Sequence, residues 1–274
     1  MNNNNGAART SQRRAANIFT LICLGLWALY SSIVEAYVMP GPWSVAVRFF
    51  EFFSDLDLIG HMLWSFFHIL VAIVVSFTLG FIIALLPFYL WVTTSAVDRR
   101  LTPFLNSYSG IGWTLLAVLW FGINDFTVIF AISMVLVPFA IINIREGLHQ
   151  LDQERLEMGR SFSRGQIKNL SLIIIPSLYP YLFASLRITF GVSWKVALTA
   201  ELFGGDRGLG FLLNLARQDF DTPLILVVIF IIIIFVYSTE RFVFTPLQNS
   251  LAEHHAKIKY CQKPLPCQYW YHHK

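Results

Sequence analysis

The run Ile69-Leu-Val-Ala-Ile-Val-Val-Ser-Phe-Thr-Leu-Gly-Phe-Ile-Ile-Ala-Leu-Leu86 contains no charged residue. A helix that crosses a bilayer needs about 20 mostly apolar residues, and only helices and closed barrels satisfy every backbone group in lipid. The apolar residues here are continuous and do not alternate, so the run reads as a membrane helix. Residues 224–237 form a second run of the same kind. The composition agrees: 56% of the 274 residues are hydrophobic, 16% aromatic and only 13% charged. Average soluble domains carry roughly 25% charged residues. Too little polar material remains to cover a water-facing surface, and lipid is the better solvent.

Outward from these runs, the chain divides into apolar stretches separated by short polar ones. A first span is expected over residues 18–38, stopped by Pro40 and Pro42. It is too long, and too poorly followed by small residues, to be a cleaved signal. Residues 43–56 place Val47, Phe50 and Phe53 at helical spacing beside Arg48, Glu51 and Asp55, as an interfacial helix does; part of a re-entrant segment is the alternative. Further spans are expected at residues 62–92, at 102–121 with an irregular start, and from a tight turn at Gly122-Ile-Asn-Asp125 to about residue 144. The last two are expected at 181–203 and 224–244. This gives an all-α, polytopic membrane protein with about six transmembrane helices. A tail (1–17) precedes the membrane domain (18–250), and a second tail (251–274) follows it. There is no internal repeat.

The net charge of +4 does not indicate nucleic acid, because Lys and Arg sit in short clusters between spans. With the N-terminus inside, 15 cations fall in cytoplasmic segments and 3 (Arg48, Arg207, Arg217) in outer ones. Both termini are therefore expected in the cytoplasm. The largest internal cytoplasmic loop is then the polar stretch 145–176. It suits two short helices joined by a turn, with Asp152 near the first helix start where the dipole favours an anion. Pro176 is expected to hold Ile175 extended and to break the chain before the next span.

The loop resembles the coupling motif of binding-protein-dependent ABC importer permeases, E-A-A-x3-G-x9-I-x-L-P. Glu157, Met158 and Gly159 fall on E-A-A, Ser163 on the glycine, Ile173 on the isoleucine and Ile175-Pro176 on L-P, with Glu154 one turn ahead. Met158, Ser163 and Ile175 depart from it. Glycine at 163 would permit a left-handed turn that serine adopts at some cost, and Gly165 is the alternative turn residue. Over residues 40–250, Leu119-Trp-Phe-Gly-Ile123, Leu186-Arg187, Ala200-Glu-Leu202, Gly208-Leu-Gly210, Ala216-Arg217 and Phe220-Asp-Thr222 are similar to the nitrate/sulfonate/taurine branch. His68 stands where that branch would have arginine and is, with Arg187, Lys195 and Glu201, a candidate for the translocation path. The resemblance implies a prokaryotic inner-membrane permease subunit paired with a second copy, two cytoplasmic ATPase subunits and an external solute-binding protein. It implies a small solute such as a sulfonate, nitrate or related anion; relatives also move neutral or cationic heterocycles. The chain has no G-x-x-x-x-G-K-[ST] phosphate loop, so ATP and Mg would be bound by the partner ATPases and no cofactor is expected here.

Other residues have two readings. Arg187 and Lys195 lie in an expected span, where a charge costs roughly 2.5–3.5 kcal/mol. They are either contacts for an anion, or an interhelical pair and a snorkelling lysine. Glu201 reads as a gate or binding-protein contact, or as a hydrogen-bond partner of the Gly-rich turn after it. That turn, 204–210, reads as a tight re-entry loop in preference to a phosphate cradle. His61, Ser65 and His68 share a helical face, and two histidines seldom complete a metal site. Cys261, Cys267, His272 and His273 fit no common zinc spacing. An intramembrane enzyme would need a third group beside Ser65 and His68, and a passive channel would need no coupling loop.

Overall fold

The computed structural model describes residues 4–35, 38–90, 93–150 and 175–248, and every regular element among them is a helix. In chain order these are α1 (Asn4–Ile33), α2 (Pro42–Ser54), α3 (Leu56–Tyr89), α4 (Thr94–Ser107) and α5 (Gly110–Phe121). They continue with α6 (Asp125–His149), α7 (Ile175–Gly204), α8 (Leu209–Gln218) and α9 (Thr222–Gln248). α4 and α9 each contain a π-helical turn, Val97–Leu101 and Glu240–Phe244. The expected coupling residues Glu154, Glu157, Met158, Gly159, Ser163 and Gly165 lie outside the described residues, as does the tail with its Cys and His residues.

By length and composition, three helices can cross a membrane: most of α3, α6 and α9. The α4–α5 pair makes a fourth if its two halves form one span. α7 has the length, at 30 residues, but carries Arg187, Lys195 and Glu201. The all-helical membrane class stands, while the described helices give three or four spans by this measure and not six.

Four boundaries differ from expectation. The apolar part of α1 ends at Ile33, not residue 38. There Ser31 and Ser32 donate to the carbonyls of Ala28 and Leu29. Trp27 Nε1 then donates to Pro40 O at 3.1 Å, folding the chain back toward α2. α3 begins six residues earlier than expected, at Leu56, where Asp55 caps it by accepting from the Asp57 N–H at 2.9 Å. The expected third span is broken by 84° between Ser107 and Gly110. Ser109 starts α5 afresh by accepting from the Gly112 N–H. Finally, Ile175 and Pro176 are helical. Pro176 therefore lies within α7 as described, where a break was expected.

α6 is the hub: α3, α7 and α5 all pack on it. A Cβ on Gly80 of α3 would lie 2.6 Å from the Ala140 Cβ of α6. The missing side chain therefore sets the close approach, as small residues do between membrane helices. The core has two centres. One gathers Phe52, Ile69, Ile132, Trp194, Leu209 and Val227; the other gathers Leu85, Leu105, Ile141, Ile144 and Leu178. The amphipathic α2 buries Val45 and Phe52 while Trp43 and Phe50 face out. It packs on α9, held by Arg48, which bonds Asp221 at 2.9 Å and Glu51 at 3.0 Å. The Glu51 hydrogen bond, ahead of the charge of Asp221, holds the guanidinium above its ordinary pKa.

Candidate functional site

α3 carries His61, Ser65 and His68 on one face, at helical spacings of four and three. α7 brings Glu201 to this face, and the turn after α7 brings the first residues of α8. The first backbone N–H groups of a helix have no partner within it. At α8, three successive ones are taken by side chains from other helices. Gly208 N–H donates to His61 Nδ1 at 3.2 Å, Leu209 N–H to Ser65 Oγ at 2.6 Å and Gly210 N–H to Glu201 Oε2 at 2.9 Å. The Gly-rich turn is thus a cradle whose anion is Glu201 itself, at the helix end where negative charge is favoured.

Glu201 and His68 are both 0% exposed and Ser65 is 1% exposed. A buried carboxylate is costly unless paired and hydrogen-bonded, and here every oxygen is engaged. Ser65 Oγ donates to Oε2 at 2.7 Å, and His68 Nδ1 lies 2.9 Å from Oε1. His68 Nε2 lies 3.2 Å from Asp125 Oδ1. Asp125, at the start of α6, keeps 33% of its side chain exposed. The imidazole therefore joins an enclosed carboxylate to one in contact with the exterior of the chain. Backbone geometry supports the arrangement. Gly208 has φ of +104°, and a Cβ there would fall 2.3 Å from the Glu201 carboxyl carbon. Arg207 lies over the Trp64 ring at 4.7 Å.

The other candidates lie apart from this cluster. Arg187 of α7 pairs with Glu240 in the π-helical turn of α9 and also donates to Gln248. Lys195 is exposed. Arg145 of α6 holds Asp98, in the other π-helical turn, through Nε at 2.9 Å and through Nη2. Asp125, Asp98 and Glu240 were not singled out from the sequence. A polar triplet on one face of an apolar span was the signal for the first. The other two acids sit in short basic segments that look like ordinary loop charge. Among the described residues no group of three His, Cys, Asp or Glu side chains is placed to hold a metal.

The family described as "Binding-protein-dependent transport system inner membrane component" matches residues 26–245. The chain belongs to this family. It is the membrane permease subunit of an importer, a transport component and not itself an enzyme. The match takes in α2 to α8 and nearly all of α9. The permease SsuC of Bacillus subtilis (strain 168), whose name refers to aliphatic sulfonates, is 25% identical over 224 residues, 81% of each chain. The bicarbonate transport system permease protein CmpB of Synechococcus elongatus is 27% identical over 218 residues, 75% of this chain and 78% of that one. Among solved structures, an inward-facing MetNI methionine ABC transporter chain shares the fold. Its TM-score is 0.57 at 16% identity, covering 72% of this permease and 98% of that chain.

Proposed function

We propose that this permease carries a small anion, such as a sulfonate, nitrate or bicarbonate, across the inner membrane. It does so as a pair of identical copies with both termini in the cytoplasm. An external binding protein delivers the solute, and two cytoplasmic ATPase subunits bind ATP and Mg and supply the work. The observation that carries the anion reading is that relatives spanning three quarters or more of the chain are named for sulfonates and for bicarbonate. The 15 to 3 asymmetry of cations supports the orientation.

The work enters through residues 145–176. Glu154 and Glu157 are the candidates to meet cations of the ATPase, with Met158, Gly159, Ser163 and Gly165 in the same segment. Movement of this segment rocks α6 and α7, between which it lies, in the manner of alternating access. The burial of Glu201 and His68 inside one chain supports a role as a pin between α3 and α7. The test is Gly159→Trp in the assembled transporter. The variant should insert normally and hydrolyse ATP without uptake. Normal uptake with normal ATPase stimulation would remove the docking assignment.

A further inference from the structure

α7 has two unlike sides. Ser185, Thr189, Ser193, Ala197 and Ala200 are buried in the chain. On the far side, Ala184, Ile188 and Lys195 are exposed. With 3.6 residues per turn, spacings of four and seven put these three almost on one line, and Gly191 and Thr199 flank it. A Cβ on Gly191 would meet nothing within 4 Å, so the line borders open space next to Lys195.

The three charged side chains of α7 differ in how they are compensated. Arg187 is neutralised by Glu240, and Glu201 is held by Ser65, His68 and Gly210. The ammonium of Lys195 has no partner among the described residues. Nor can it escape along the helix. Lys195 is about 14 Å from the α7 end at Gly204 and about 30 Å from Ile175, at 1.5 Å per residue. A lysine stem reaches only about 6 Å, and a helical Cβ tilts toward the N-terminus, away from the nearer end. In the span expected over residues 181–203, an ammonium held at that depth against hydrocarbon is expensive.

We infer that Lys195 faces a water-lined route on the open side of α7 and is the residue that selects anions there. The inference rests on the anion reading above and divides two residues that look equivalent in the sequence. Arg187 is a strut to α9, and Lys195 alone supplies an uncompensated positive field. The anionic group of the solute meets the ammonium beside the gap at Gly191. One unpaired cation per copy holds the solute loosely enough to release it.

The test uses the full chain in membranes with its ATPase and binding protein. In a background with Cys23, Cys261 and Cys267 replaced, Lys195→Cys should react with the anionic sulfonatoethyl methanethiosulfonate. No reaction with that reagent overturns the water-lined assignment whatever the substrate. For the charge, Lys195→Met should lower uptake of ethanesulfonate and bicarbonate by about tenfold, the low end of what a charge-focused cleft supplies. Lys195→Arg should restore most of it, at equal protein in the membrane. Equal losses in Met and Arg, or none in Met, overturn the selecting role and leave the anion reading intact. A wild-type transporter that takes up neither of these anions, nor nitrate, overturns the anion reading, and this inference with it.

Discussion

Glu201 of α7 lies 2.9 Å from Nδ1 of His68 on α3, with both side chains sealed from the surroundings. The pair fastens the turn after α7 to the long span α3, and through His68 to Asp125 at the head of α6. Glu201→Ala would take one partner each from His68 Nδ1 and Ser65 Oγ and leave the Gly210 N–H without its acceptor. Breaking a buried pair in this way costs about 3–5 kcal/mol. Glu201→Gln keeps one acceptor oxygen and should cost nearer 1–3 kcal/mol, the scale of a single unsatisfied buried group. Thermal unfolding of the purified protein in detergent checks the order; equal losses would contradict the hydrogen-bonding account.

Gly208 is where the turn depends on a missing side chain. With φ of +104° and Glu201 atoms at 2.3–2.5 Å from a Cβ position, Gly208→Ala should lose about 1–3 kcal/mol from backbone strain alone. Overlap with the carboxylate adds to that. Gly191→Ala, with open space around it, serves as the control and should lie within about 1 kcal/mol of wild type. The same unfolding measurement compares them, and a neutral Gly208→Ala would refute the packing described here.

The Arg187–Glu240 pair predicts non-additivity. Arg187→Met leaves a lone carboxylate and Glu240→Gln a lone guanidinium. Each single change should destabilise by up to about 3 kcal/mol, the insertion cost of one charge. The double change should recover about 0.5–3 kcal/mol of the summed losses, as coupled neighbours do. Additive losses in a double-mutant cycle would mean that the two side chains do not interact.

Much of this architecture was legible in the sequence, and the exceptions have physical causes. Ile69 to Leu86 declares a membrane helix because hydrocarbon tolerates nothing else over that length. The first span was read too long because apolar residues continue past Ile33. Hydropathy does not register the bond from Trp27 to Pro40 that marks the chain folding back. The break at Tyr108 was foreshadowed only by Pro103 and the glycines nearby, which mark irregularity without an angle. Glu201 was legible as a partner of the Gly-rich turn. Its link to His68, 133 positions away, depends on how α3 and α7 pack. Arg187 and Lys195 looked alike because charge alone is visible in a sequence, and only the fold shows which one has a partner.

The orientation can be read chemically. In a background without the native cysteines, Asp206→Cys should react with an impermeant thiol reagent added outside intact cells. Arg155→Cys should react only once the membrane is opened. The reverse pattern would overturn the cation asymmetry as a guide to topology.

The most direct test of the whole account is ATP-dependent uptake by proteoliposomes holding this permease and its ATPase, with the binding protein on the opposite side. Ethanesulfonate should accumulate only when ATP is present on the ATPase side and the binding protein on the other. Uptake that proceeds at the same rate without ATP, or without the binding protein, would contradict it.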